Sequence, residues 1–151
     1  ARALAAAAAV KVRAVVVTPY REQVPLEVPA SVYYAAYAPF DVLSRQVAAF
    51  VHHGGIGTSA TVLAAGKPQL IVPFAFDQPD NAARLTRLGV AATVLPDSPP
   101  AMWQQALGRL LDDPAVAKAC ATLATVMAGE RPAADRIADI IEGHSGQGQV
   151  T

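Results

Sequence analysis

The sequence predicts an α/β fold built on a doubly wound parallel sheet of the Rossmann-like kind. Three observations carry that expectation. Short β-branched or apolar runs alternate with helical stretches from residue 12 to residue 95. The connections between them suit βαβ crossovers and little else. At Val51-His52-His53-Gly54-Gly55-Ile56-Gly57-Thr58-Ser59 a strand run, a glycine turn and a helix start follow one another directly. Open α/β sheets bind ligands at such strand ends.

A chain of 151 residues is expected to form one domain with room for a real core. Zero formal net charge and only 16% charged residues leave no basic field, so no nucleic-acid partner is expected. The lone Cys120 excludes an internal disulfide and a multi-cysteine metal site, and it suits a reducing, cytoplasmic location. Its helical, apolar neighbours make it a packing residue. No run approaches the roughly 20 apolar residues of a spanning helix, so no stable membrane insertion is expected.

Taken in order, residues 1–10 read as an alanine-rich helix entered in mid-element, and the sequence reads as a piece of something longer. A signal peptide fits less well, because Lys11 and Arg13 follow without a clear break before a strand. Residues 12–18 are a β-branched run closed by Pro19, expected as a buried parallel strand. Residues 20–31 hold Pro25 and Pro29 and should be loop. A weaker strand over 32–37 ends at Pro39, and Asp41 can cap a short helix through Gln46. The apolar run 48–51 is a third strand, leading into His53, and the helix that follows covers 59–65 and stops at Gly66. Residues 69–73 and 91–95 are the fourth and fifth strands. Between them Pro79 suits a first helical turn, Asp77 or Gln78 can cap it, and Gly89 ends the helix after Leu88.

Three helices then close the domain. Trp103, Leu107, Leu110 and Leu111 share one face; Val116, Cys120, Leu123 and Met127 share a second; Ile137, Ile140 and Ile141 share a third. All three stripes are expected in the core, with Pro99 or Pro100, Pro114 and Pro132 near the helix starts. The domain is expected over 1–143, and the polar, Gly-rich 144–151 as a disordered tail in which His144 has no role.

The glycine turn predicts an anion site, because backbone N–H groups and the positive end of a helix converge there. Gly54 and Gly55 can take positive φ and let a phosphate approach the backbone, and Gly57 can hold the helix start close to the sheet. The order matches neither the dehydrogenase fingerprint nor a P-loop. His52 is open to two readings, a ligand or a strand side chain paired to a backbone carbonyl. Asp77 and Gln78, facing the same crevice, suit recognition of sugar hydroxyls.

Three blocks in this spacing resemble the donor-sugar signature of family 1, UGT-like glycosyltransferases. They are Phe50-Val51-His52-His53-Gly54-Gly55-Ile56-Gly57-Thr58, Ala65-Gly66-Lys67-Pro68-Gln69, and Val72-Pro73-Phe74-Ala75-Phe76-Asp77-Gln78-Pro79-Asp80-Asn81-Ala82. The likeness is to the bacterial branch of macrolide, glycopeptide, sterol and rhamnolipid glycosyltransferases. It implies the C-terminal, donor-binding half of a GT-B fold. It also implies inverting, metal-independent sugar transfer from a UDP- or dTDP-sugar to an acceptor hydroxyl, with no cofactor.

By that resemblance His53 and Thr58 hold the donor diphosphate with the N–H groups of Gly55, Gly57 and Ser59, and Asp77 and Gln78 hold the donor sugar. Tyr37 is the counterpart of a base-stacking Trp, and Phe40 stands where plant members carry a base-reading glutamine. Thr61 replaces a ribose-binding glutamate, which suits a deoxyribose donor, although relatives without that carboxylate also use UDP-glucose. The catalytic base is expected in an N-terminal acceptor domain of the same parent chain, so this piece alone should bind nucleotide and not turn over. The competing expectations are a non-catalytic nucleotide-binding or regulatory module and another GT-B enzyme such as a UDP-sugar epimerase.

Overall fold

A computed structural model describes residues 2–130 and 133–145. Its elements are α1 (Arg2–Ala9), β1 (Ala14–Val17), a 3-10 turn (Arg21–Gln23), β2 (Val32–Ala35), α2 (Phe40–Gln46), β3 (Phe50–His52) and α3 (Ile56–Ala64). After these come β4 (Gln69–Ile71), α4 (Gln78–Arg87), β5 (Ala91–Thr93), α5 (Pro100–Asp112), α6 (Pro114–Gly129) and α7 (Ala133–Ser145).

Every strand pair is parallel, as the alternation of strands and helices requires. The strands form two sheets, β1-β2 and β3-β4-β5, where a single five-stranded sheet was expected. Alternation fixes the direction of the strands but not which of them pair, since parallel pairing is non-local. Ala14 donates to Ser31, just before β2, and Thr18 to Ala35 of β2, so the amides of Val15 and Val17 face the other edge of β1. Phe50 donates to Pro68 and His52 accepts from Val72, so Val51 faces the outer edge of β3. The expectation that β1 is buried also fails, because Val15 is exposed.

Strand β4 is buried along its whole length, between β3 and β5. Leu70, Ile71 and Val72 join Val90, Val94, Trp103, Leu107 and Leu110 in one core cluster, with Ala6 and Ala7 of α1 and Cys120 of α6. The α5 stripe and, on α6, Val116, Cys120 and Leu123 therefore face the core as expected, whereas Met127 lies outside the core cluster. The isoleucines of α7 do not face it. Ile137, Ile140 and Ile141 are exposed and belong to no part of the core cluster. A 3.6-residue period shows that a helix has an apolar face, not what covers it. Helix α7 runs on through Gly143 to Ser145, into the segment expected as tail. The rest of that tail and Pro132 lie outside the described residues.

The helix ends follow backbone chemistry closely. At Gly66 and Gly89, with φ of 68° and 75°, paired bonds close the helix in a Schellman motif. Lys11, at φ 58°, does the same for α1 without a glycine. Helix α2 is entered through Pro39, so Asp41 lies inside its first turn and is not the cap. Leu70→Ala should cost about 2–5 kcal/mol in urea unfolding, whereas Leu26→Ala, at a position 93% exposed, should stay within about 0.5 kcal/mol of the parent.

Candidate functional site

Strand β3 delivers the chain to a turn that only some residues can make. Gly54 sits at φ 93°, and a Cβ there would lie 2.8 Å from Ile71 Cγ2 and 3.3 Å from the Gln78 carbonyl. Gly55 has an ordinary φ of −62°, so its freedom to turn left-handed is not used. It is needed for space: a Cβ would meet His53 Nε2 at 2.7 Å. The exposed imidazole of His53 thus lies over the start of α3. A Cβ at Gly57 would meet nothing within 4 Å, which corrects the expectation that this glycine brings helix and sheet together.

Helix α3 begins at Ile56, three residues earlier than the sequence suggests. The first helical bond runs from Ser59 N–H to the Gly55 carbonyl, and Gly55 offers no side-chain cap. The N–H groups of Ile56, Gly57 and Thr58 therefore have no acceptor within the helix. They point out of its positive end beside His53. Ser59 is not part of that surface. Its amide is spent in the helix, and its side chain is only 3% exposed, with the hydroxyl buried and without a partner.

His52 resolves to the structural reading, with a different partner. Its Nδ1 accepts from the Gly54 N–H at 3.1 Å, and its Nε2 lies 2.9 Å from Gln69 Oε1. A backbone N–H can only donate, so Nδ1 is bare and the proton of a neutral ring sits on Nε2, facing the amide oxygen. Gln69, fully buried, passes its own N–H to the Ser59 carbonyl at 3.4 Å. Burial lowers the pKa of His52, and the charge of nearby His53 lowers it further, against the opposing pull of the Gln69 bond.

Across the turn, α4 supplies the second arm. Asn81 Nδ2 donates to the Gly54 carbonyl at 2.9 Å and to Asp77 Oδ2 at 2.8 Å. Gln78 Oε1 accepts from the amides of Phe74 and Ala75 at 2.8 and 3.2 Å. Neither Asp77 nor Gln78 caps α4 through its side chain, contrary to expectation. The loop makes a better offer: at Phe76 the backbone turns left-handed, φ 60°, and brings two free amides under the Gln78 oxygen. The Gln78 NH2 group is thereby left outward as a donor, and Asp77 keeps one carboxylate oxygen as an acceptor.

His52, His53 and Phe74 line a shallow concavity at the strand ends with Val72, Trp103 and Arg2, the last held by the carbonyls of Pro96 and Ser98. The two aromatic residues expected to stack a base are placed differently. Tyr37 is 80% exposed. Phe40 packs edge-on to Phe50, centroids 5.3 Å apart, and that ring in turn meets His52. Among the described residues no cluster of three His, Cys, Asp or Glu side chains could hold a metal ion. No described helix is long and apolar enough to cross a membrane.

Gln69 and Asn81 are the residues that sequence reasoning did not assign. Both stand inside the quoted motif blocks, and a glutamine in a strand that must be buried was the available signal, because a buried amide needs partners.

By its family match and its structural relatives this parallel α/β domain is the C-terminal domain of a family 1 glycosyltransferase of GT-B architecture, a class that its glycine turn, open helix end and facing Asp-Gln pair fit. Within that class, the chain belongs to the family described as erythromycin biosynthesis protein CIII-like, C-terminal domain, which matches residues 1–143. It is 41% identical over 98 residues to the O-mycaminosyltylonolide 6-deoxyallosyltransferase of Streptomyces fradiae, covering 62% of this chain and 23% of that protein. It is 36% identical over 121 residues to the aclacinomycin-T 2-deoxy-L-fucose transferase of Streptomyces galilaeus, covering 78% and 27%. The chain thus spans about a quarter of the length of these relatives. Among solved structures, the spinosyn forosaminyltransferase SpnP superposes with a TM-score of 0.82 at 25% identity, over 93% of this chain and 36% of that one. The glycosyltransferase VinC in complex with dTDP gives 0.81 at 25% identity, over the same shares of 93% and 36%.

Two outcomes follow from this geometry. Gly54→Ala should lower stability by about 1–3 kcal/mol in chemical denaturation, since it meets both a left-handed φ and Ile71. A His52 pKa depressed on folding means that the unfolded chain binds more protons below about 6.5, the ordinary imidazole value. That contribution to stability is present above pH 6.5 and lost as the pH falls through the lowered folded value. The urea midpoint should therefore fall more steeply below pH 6.5 in the parent than in His52→Asn.

Proposed function

We propose that the chain is the donor-binding domain of an inverting, metal-independent glycosyltransferase, which transfers the sugar of a UDP- or dTDP-sugar to an acceptor hydroxyl. The observation that carries this reading is the pairing of His53 with the open end of α3. The unspent N–H groups of Ile56, Gly57 and Thr58 and an exposed imidazole converge on a surface that glycine has cleared. Such a cradle suits a diphosphate without a metal, because it supplies fixed positive potential where charge grows on the leaving group. Thr58 adds a hydroxyl, and Ser59, whose amide is spent, is left out.

Asp77 and the outward NH2 of Gln78 are assigned to the donor sugar, one as acceptor and one as donor for its hydroxyls. Tyr37 offers a free aromatic face to the base, with Phe40 beside the same edge only as a packed neighbour. Among donors, dTDP-sugars are the better fit. Thr61 stands on α3 where a ribose-binding carboxylate would be, its hydroxyl turned back to the Gly57 carbonyl, and the similar VinC structure was solved with dTDP. The acceptor and the base that deprotonates it belong, in this reading, to an N-terminal domain of the parent chain, as does the cytoplasmic setting in which the parent works.

Isothermal titration with dTDP, UDP and GDP tests this directly. The chain should bind dTDP, and His53→Ala should weaken that binding by about 1–3 kcal/mol while leaving the thermal unfolding profile intact, as for loss of one charge-assisted bond. Unchanged affinity would remove His53 from the site. The 151-residue chain alone should bind nucleotide and show no sugar transfer to any hydroxyl acceptor; turnover would overturn the assignment of the base elsewhere.

A further inference from the structure

We infer that Gln69 and His52 form a positioning relay that holds the glycine turn and α3 in register with the buried sheet. The inference rests on the diphosphate reading of the turn given above. Three bonds run in one direction: Gly54 N–H to His52 Nδ1, His52 Nε2–H to Gln69 Oε1, and Gln69 Nε2–H to the Ser59 carbonyl. The first bond fixes the ring's tautomer, since its donor has no choice of role. The tautomer fixes which end of the Gln69 amide faces the ring, and the other end then meets α3.

The relay thereby ties three separate pieces of backbone to one side chain. Gln69 begins β4 and is fully buried; His52 ends β3; the Ser59 carbonyl lies in α3, past the three unspent amides. Gln69 does not reach the surface, and His52, part-buried in the wall of the concavity beside His53, has both ring nitrogens engaged within the protein. Their effect on the surface where an anion would lie is indirect, through the position of Gly54 and the direction of the helix. A site held to the right geometry by a supporting set of bonds binds more tightly than the same groups left loose. The Gly54 amide, one apparent anion donor, is spent on this support.

Both ends of the relay are needed. A ring protonated on both nitrogens could not accept from Gly54, and an apolar residue at 69 would leave the part-buried His52 Nε2–H without its acceptor and remove the side-chain tie to the Ser59 carbonyl, which would keep only its helical bond. The part-buried setting of His52, which lowers its pKa, agrees with a ring kept neutral.

The test compares the parent chain with Gln69→Leu, His52→Asn and His52→Leu, using dTDP titration and nitrogen NMR of the histidine rings. The parent should show His52 with a bare Nδ1 and a protonated Nε2. Gln69→Leu and His52→Leu should each weaken dTDP binding at least fivefold, whereas His52→Asn, whose Oδ1 can take the place of Nδ1 but whose shorter side chain does not reach Gln69, should weaken it measurably and clearly less than His52→Leu does. A His52 ring protonated on Nδ1, or His52→Asn as weak as His52→Leu, or Gln69→Leu at parental affinity, would each overturn the relay. Should Gln69→Leu not fold, the parental tautomer and the two His52 variants still decide. A parent chain that binds no nucleoside diphosphate would defeat the donor reading, while the tautomer alone would continue to judge the relay.

Discussion

A glutamine amide with no access to water sits at the start of the central strand, and the rest of the site depends on how its two ends are satisfied. An unpaired amide there would cost about 1–3 kcal/mol per group. Pairing it requires a histidine at the end of β3 and a carbonyl from α3 at fixed places. Once those are fixed, the chain between them has little room, and Gly54 must turn left-handed against Ile71. The open helix end is then a consequence of the turn: the chain enters α3 through Gly55, which has no side chain to cap it.

The fold was legible in the sequence where local chemistry decides it. Gly66 and Gly89 end helices by adopting the one backbone conformation that glycine tolerates best, and Pro100 and Pro114 sit where a missing N–H costs nothing. The stripe of Trp103, Leu107 and Leu110 reads as core and is core. What could not be read was non-local. Which strands pair, that β1 and β3 each lie at a sheet edge, and that the isoleucines of α7 face outward all depend on what lies across the fold.

The site divides in the same way. The glycine turn and the placement of His53 beside a helix start were legible, because strand, turn and helix are contiguous in the chain. The role of each glycine was not. Gly54 answers to a side chain in β4, Gly55 to an imidazole two residues away, and Gly57 to nothing within 4 Å among the described residues. Ser59 illustrates the cost of a three-residue error in a helix boundary. Placed at the head of α3 it would face a ligand; placed one turn in, it faces the interior. His52 and His53, adjacent and identical, are separated by strand alternation into one ring that braces the turn and one that lies open over it.

Asn81 makes its bond to Gly54 and its bond to Asp77 from a single nitrogen. Its two protons point to different loops, so the carboxamide works as a rigid yoke between them. The Gly54 carbonyl and the Asp77 carboxylate are thereby held at a fixed spacing by one side chain. In the proposed donor reading, the groups assigned to the diphosphate and those assigned to the sugar would share this one brace, and a ligand carrying only one of the two moieties would engage only one side of it.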